Sequence, residues 1–526
     1  MHGHVRKALL LRALAALCLV AAIGGAASLL IRTLQIHEVA SDTYYVDCSA
    51  SLEGAGTLDS PWNSLETVNE IEFAAGSQIL FKSGMRCEGT LSPKGSGKAG
   101  KPIIIDRYGD GDKPLIAGNG AANAVYLYNQ EYWEVRNLEI TNDSAQASNR
   151  RGVYVVAENM GAARYFRLVN LAVHHVKGDN TKNQGGSGGI MFEVQGLIQK
   201  TWFEDVIIDG CTVYTADRTG ITTDSSWRWR PAIGSKINNW VGWTDFVIRN
   251  NTVYDIGGDG IVIRNTRGAR VEYNVVYDAN MRSGEYCAGI WPWNSDDTVF
   301  QYNEAYRVRT MKDGFGFNVD FGTTGTIFQY NYSHDNEGGF MLICTPSNRA
   351  NQDAIIRYNI SQNDNARIFS FHGSTVNTQI YNNTVYIGPG KRVRIVEQEP
   401  YGLGDTQSKP VSAYFYNNIL YNEGNALYLF TQGTANVFDY NLFYGRYAQG
   451  EPEDLHKLVE DPWLVDPGSG GTGLDTLGGY QLQEGSPAIG SGKIIEGNGG
   501  QDFWGNPVPQ DAPPDRGAHQ YSAPGR

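Results

Sequence analysis

Eight times between residues 247 and 444 the chain repeats one phrase: alternating apolar residues, an Asn, and three positions later a Tyr or its stand-in. The copies are 247–254, 271–277, 300–306, 328–334, 356–362, 380–386, 415–421 and 438–444. Their Asn residues (251, 274, 303, 331, 359, 383, 418, 441) stand 23, 29, 28, 28, 24, 35 and 23 positions apart. A short strand phrase recurring at roughly this spacing marks a solenoid. Period-two alternation makes the repeated element a strand. With no helical stretch between copies, we expect an all-β parallel β-helix, in which a coil buries its apolar face only by stacking on the next. The Asn is expected at a sharp corner, bonding the neighbouring coil and taking the left-handed backbone angles it tolerates. Sugar binding is the competing reading of these Asn residues, and recurrence at one register favours the ladder.

Weaker copies lie at 133–140, 166–173 and 203–214, with longer steps between them. The extra residues must leave the stack as loops, best placed at 179–189 and 224–243. The second loop carries Trp227, Trp229, Trp240 and Trp243 with Arg228 and Arg230. Loops on one face of a repeat protein are where binding usually resides.

The 43 basic and 56 acidic residues leave a net charge of −13, which argues against a nucleic-acid partner. Arg6, Lys7 and Arg12 precede an apolar run at 13–31 that is long enough to span a bilayer. Residues 1–42 therefore read as a signal anchor, or a signal peptide cut after Ala27, with a linker. The body is then extracytoplasmic, membrane-anchored or secreted. Of six Cys, Cys18 lies in the apolar run and Cys48 and Cys87 are the best disulfide candidates. Cys211, Cys287 and Cys344 read as buried free thiols. No C-x-x-C or H-E-x-x-H pattern points to zinc. We expect an N-terminal cap and first coils at 43–120, with a short helix near 65–73. The coils carrying the site follow at 121–445, and a C-terminal cap at 446–526 closes an end that would otherwise pair with other chains.

Several phrases resemble a known family: Tyr44-Tyr45-Val46-Asp47-Cys48, Pro61-Trp62-Asn63-Ser64-Leu65, the run 76–84, Lys101-Pro102-Ile103-Ile104-Ile105, and the closing runs 485–490, 502–507 and 514–519. They are similar to the pectin-lyase-like superfamily of extracellular β-helix proteins, over about residues 43–522. The resemblance implies a right-handed parallel β-helix and an activity on carbohydrate. Polysaccharide lyases, glycoside hydrolases and uronate epimerases share that fold, so it does not choose the reaction. The stretch 255–344 most resembles bacterial β-helix glycoside hydrolases, without a complete catalytic motif that transfers residue by residue.

Polar residues that break the repeat concentrate in three successive coils. Aligning their second strands sets Asp259 beside Ala288, Asp313 and Gly338. Residues two coils apart lie about 10 Å apart, near the upper end of the ~6.5–9.5 Å carboxyl separation of inverting hydrolases. Asp320 is expected near Ser295, Asp296 and His372. A hydrolase needs one protonated and one ionised carboxyl, and neighbouring carboxyls push one pKa up. Asp313 and Asp320 lead the candidates, followed by Glu285, Asp259 and Glu337, with His334 as a further acid/base. Trp291 and Trp293 offer stacking faces for a sugar, and Arg282, Asp296 and His372 are further binding candidates. Any one acid before Gly also reads as a plain turn cap. This reading needs no cofactor, and its partner is a polysaccharide or glycan. A uronate lyase is the rival. It would use Lys312, the sole Lys between Lys236 and Lys391, or an Arg as base, with Ca²⁺ held by carboxylates. A non-catalytic carbohydrate-binding solenoid is the third reading.

Overall fold

The computed structural model describes residues 42–182, 186–309, 312–346, 349–400, 413–430 and 435–522. Thr43–Arg526 forms one compact unit. Among the described residues three long sheets run through it, every neighbouring pair of strands parallel. Sheet 1 has fourteen strands, from Thr43–Val46 to Val437–Asp439, and sheet 2 has thirteen, from Arg86–Glu88 to Leu442–Gly445. Sheet 3 has eleven, from Asn123–Tyr128 to Asn425–Phe430. One coil visits the three sheets in turn, as in Thr244–Arg249, Thr252–Ile256 and Asp259–Arg264. Each strand then pairs with its equivalent one coil away, so the architecture is the expected parallel β-helix.

Alternation explains which side chains fill the centre. Ile261 and Ile263 point inward with no exposure, while Val262 and Arg264 stand on the outer face of sheet 3. Inward residues stack on their equivalents, Phe300 on Phe328 at 4.4 Å between ring centroids. Outside sheet 2, His174, Tyr214, Tyr254, Tyr277, Tyr306 and His334 form a second column of stacked rings.

The repeated Asn builds the corner between sheets 1 and 2. Asn303 donates through Nδ2 to Asn331 Oδ1 (3.0 Å) and to the Val271 carbonyl (2.8 Å). Its Oδ1 accepts from Asn274, at both the backbone N–H and Nδ2. The same set recurs at each internal repeat Asn from 274 to 418. At one end Asn251 accepts from the Cys211 N–H, and at the other Asn441 donates to Asp454 Oδ2 (2.9 Å). The left-handed angle falls one residue earlier than expected, on Asn250, Tyr273, Tyr302, Tyr330, Tyr358, Asn382, Asn417 and Tyr440. The ladder Asn itself stays in the ordinary region because its amide must point along the stack.

At the N-terminal end, Ser64 caps the helix Leu65–Glu70 by accepting from the Thr67 N–H (3.3 Å), and the helix buries Leu65 and Val68. Cys48 and Cys87 are disulfide-bonded, and Cys211, Cys287 and Cys344 are free, the last only partly buried. After Gly445 the chain pairs with the last coil through Leu442 and Leu458. It then runs back along the corner of sheets 1 and 2, where Gln362, Arg357 and Asn382 donate to Gly470, Gly497 and Asp515 carbonyls. The closing segment therefore braces several coils from the side. The apolar run at 13–31 lies outside the described residues, and among those described no helix is long and apolar enough to cross a membrane.

Candidate active site

The outer face of sheet 3 carries the candidate acids. Arg264 pairs with Trp293, and Ile290 with Phe317, which sets Trp291 beside Asn318 and Trp293 beside Asp320. Asn318 pairs with Leu342 and Val319 with Ile343, so Cys344 follows Asp320, and His372 follows Cys344. Val262, Ala288, Trp291, Phe315 and Leu342 make this face an apolar floor interrupted by Asn318, Asp320 and Asp313.

Two loops wall the floor into a trough. On one side Asn180 accepts from the Ser283 hydroxyl (3.2 Å), and Lys182 Nζ donates to the Tyr286 carbonyl (2.7 Å). On the other, Arg230 grips Asp296 with two bonds (2.8 and 2.9 Å) and donates to Asn294, while the Ala350 N–H reaches the Ala232 carbonyl. Both walls come from the long steps in the sequence.

Asp313 and Asp320 are part-exposed within this trough. Burial pushes the Asp313 carboxyl up to about 6, against the charges of Lys182 and Arg367. Burial likewise pushes Asp320 up to about 7; the Phe321 N–H and Lys182 oppose the rise, and the Asp313 charge adds to it. The Phe321 N–H fixes one Asp320 oxygen at 2.8 Å. Arg367 holds the other acid's backbone, donating to the Asp313 carbonyl (2.9 Å) and lying 4.4 Å from the Phe315 ring centroid. The carboxylate acting on Asp320 is Asp313, and the one acting on Asp313 is Asp259. Between about 6 and about 7 Asp313 is mostly ionised and Asp320 mostly protonated, the division that acid–carboxylate chemistry requires.

The other candidates fall elsewhere. Asp259 is fully buried, 2.7 Å from Arg218, and accepts from the Ala288 N–H (2.9 Å) and Trp291 Nε1 (3.0 Å). Burial alone would raise its carboxyl, but the Arg218 guanidinium holds it below the usual range. It anchors the trough floor. The expected in-register pairing of Asp259 with Asp313 does not form. Asp259 aligns through Ala288 with Phe315, and Asp313 lies in the turn two residues before. Ser295 and Asp296 sit beside Thr324 instead of Asp320, whereas His372 does share the Asp320 row.

His334 lies on sheet 2, between Glu304 and Asp335, stacked on Tyr306. Burial opposes its charge, yet those two hydrogen bonds raise its pKa overall. The closing segment covers it, since the Gly473 N–H donates to Glu304. Glu337 bonds Arg309, and Arg282 joins Asp217 and Asp255 at the corner of sheets 2 and 3. Glu285 is half-buried in the turn beside Tyr286. Lys312 lies 5.4 Å from the Tyr286 ring centroid, next to Asp313. Trp291 is only 4% exposed, a floor residue, and Trp293 is edge-on to Phe321. Two polar atoms of the floor, Asn318 Oδ1 and His372 Nε2, are buried with no partner among the described residues. Among those residues no group of three or more His, Cys, Asp or Glu is placed to hold a metal ion.

The family model described as right handed beta helix region matches residues 116–305 and 235–401, together more than half of the chain. A curated lacto-N-biosidase of Bifidobacterium longum subsp. longum is 29% identical, over 89% of this chain and 36% of that protein. The chain thus spans about a third of that relative's length. The crystal structure of a GH136 lacto-N-biosidase from Eubacterium ramulus superposes with a TM-score of 0.60 at 27% identity, covering 74% of this chain and 68% of that one. XylC in complex with xylose shares the fold, with a TM-score of 0.50 at 12% identity over 91% of this chain and 98% of that one. Stacked coils, corner ladder and matched model agree, and the chain belongs to the right-handed β-helix family.

Proposed function

We propose that this protein is a glycoside hydrolase that cleaves a glycan held in the trough of sheet 3, with Asp313 and Asp320 as its working carboxyls. One observation carries the reading: two part-exposed carboxyls, raised to about 6 and about 7, the first adding to the rise of the second, share one walled trough. One carboxyl protonates the glycosidic oxygen, and the sugar leaves with that proton. The carboxylate either bonds the anomeric carbon, to be displaced by water, or takes a proton from the attacking water. Asn318 and His372 then offer their unpartnered atoms to sugar hydroxyl or amide groups. The relatives named lacto-N-biosidase make lacto-N-biosides the first substrates to try. We place the body outside the cytoplasm, tethered through 13–31 or released after cleavage. The Cys48–Cys87 disulfide supports this, because such bonds persist in oxidising compartments.

The test is digestion of a glycan panel that includes lacto-N-biosides, with reducing ends and the ultraviolet absorbance of unsaturated uronates followed together. New reducing ends without absorbance are expected. Asp313→Asn and Asp320→Asn should each lower turnover at least about a hundredfold while keeping the fold. Wild-type turnover in both variants would remove the pair from the mechanism. Absorbance would instead indicate elimination and bring Lys312 forward. Azide added to Asp313→Ala and Asp320→Ala assigns the roles of a retaining pair by product configuration: an inverted glycosyl azide forms where the carboxylate nucleophile is missing, and a retained one where the acid/base is missing.

A further inference from the structure

The trough holds one cation delivered from far along the chain. The Lys182 ammonium donates to the Tyr286 carbonyl at 2.7 Å, across 104 positions, and sits 5.3 Å from the Trp291 ring centroid. The segment bearing it is pinned twice more, by Ser283 on the Asn180 carbonyl and by the Arg218 N–H on Asn180 Oδ1 (2.8 Å). Trp291 is fixed beneath it by its Nε1 bond to Asp259. The rung beside Trp291 is Asn318, two residues from Asp320 on the same face.

The groups that sense this charge are Asp259, Asp313, Asp320, Cys287 and Cys344. Other cations face the same floor: Arg264 lies 5.8 Å from the Trp291 ring centroid, Arg367 acts on Asp313 and Arg349 on Asp320, and Lys312, next to Asp313, lies 5.4 Å from the Tyr286 ring centroid. Asp259 already has Arg218 at 2.7 Å, whereas among the described residues no ion pair is made by Asp313 or Asp320. Burial raises both carboxyls, and the cations of the floor oppose that rise.

We propose that Lys182 is a positioning residue for the acid pair: clamped over Trp291, its charge keeps one carboxyl ionised while the other carries the proton. This rests on the hydrolase reading of the trough. The strap therefore supplies electrostatics as well as a wall, and the pair is poised only while Asn180 and Lys182 stay docked.

The experiment is a carbon-13 NMR titration of the Asp313 and Asp320 carboxyls in the full chain, comparing wild type, Lys182→Gln and Lys182→Arg. Removing a nearby positive charge raises carboxyl pKa values, so Lys182→Gln should shift both titrations upward by about one unit. Lys182→Arg should stay near wild type. On whichever glycan the wild type cleaves, the kcat/KM profile of Lys182→Gln should move to higher pH, with KM less affected. Asn180→Ala, which keeps the lysine but loosens the strap, should shift the titrations in the same direction. Unmoved titrations in Lys182→Gln and Asn180→Ala overturn the proposal, and a raised KM with unmoved titrations reassigns Lys182 to substrate contact. The titration needs no turnover. A chain that shifts as expected but cleaves nothing would sink the hydrolase reading and leave the electrostatic role of Lys182 standing.

Discussion

Asp320 keeps its proton up to about pH 7 in the folded chain, whereas an ordinary Asp releases it near 3.8. Between those values the folded state binds more protons than the unfolded one, so stability falls as pH rises through that window. Asp320→Asn removes this titration. The variant should melt higher than wild type at about pH 8 and level with it at about pH 3, as scanning calorimetry would show. The same burial sets activity. A pair with one proton to share between about 6 and about 7 should give a narrow bell in kcat/KM centred in that interval, and a broad plateau would contradict the pair. These two residues were legible in the sequence because they interrupt an apolar pattern. Lys182 was not, because nothing local shows that it bonds Tyr286 104 positions later. His334 was legible as an exception to the Tyr column, but only the structure shows that its column faces the closing segment and not the trough.

Among the elements, the Asn corner was the easiest to foresee and its details the hardest. Identity and spacing of the Asn residues announce a ladder, yet the left-handed angle belongs to the residue before each of them. That residue is Tyr in five of the eight corners, a residue with no special liking for the angle, so the stack imposes it. Strand register failed in a similar way. Asp313 and Asp259 looked aligned because both precede Gly, but hydrogen bonding aligns Phe315 with that position. A turn of different length before each strand shifts the register without leaving a mark on the strand itself. The ladder gives a direct prediction. Asn303→Ala strips acceptors from two Asn274 donors and donors from two carbonyl oxygens, all buried. It should cost roughly 2–4 kcal/mol in urea unfolding, and a loss within a few tenths of wild type would show that the ladder is decorative.

For the molecule as a whole, the disulfide and the closing segment act on different coils. The disulfide ties Cys48, in the turn after the first strand of sheet 1, to Cys87 in the first strand of sheet 2, over a separation of 39 residues. Its reduction should lower stability by about 2–4 kcal/mol. Hydrogen exchange should loosen Thr43–Val46 first and leave the trough coils unchanged. The corner ladder has a further consequence. Every internal Asn presents a donor to one side and an acceptor to the other, so the repeats are joined head to tail like monomers in a directional polymer. Asp454, whose carboxylate accepts from Asn441, is the terminating unit, while Cys211, which gives Asn251 its backbone N–H and no side-chain amide, is the initiating one. Propagation is thus written into each unit and length into the two ends. A coil duplicated between Asn251 and Asn441 meets a matching face on both sides, whereas one grafted after Asp454 meets a unit with nothing left to donate.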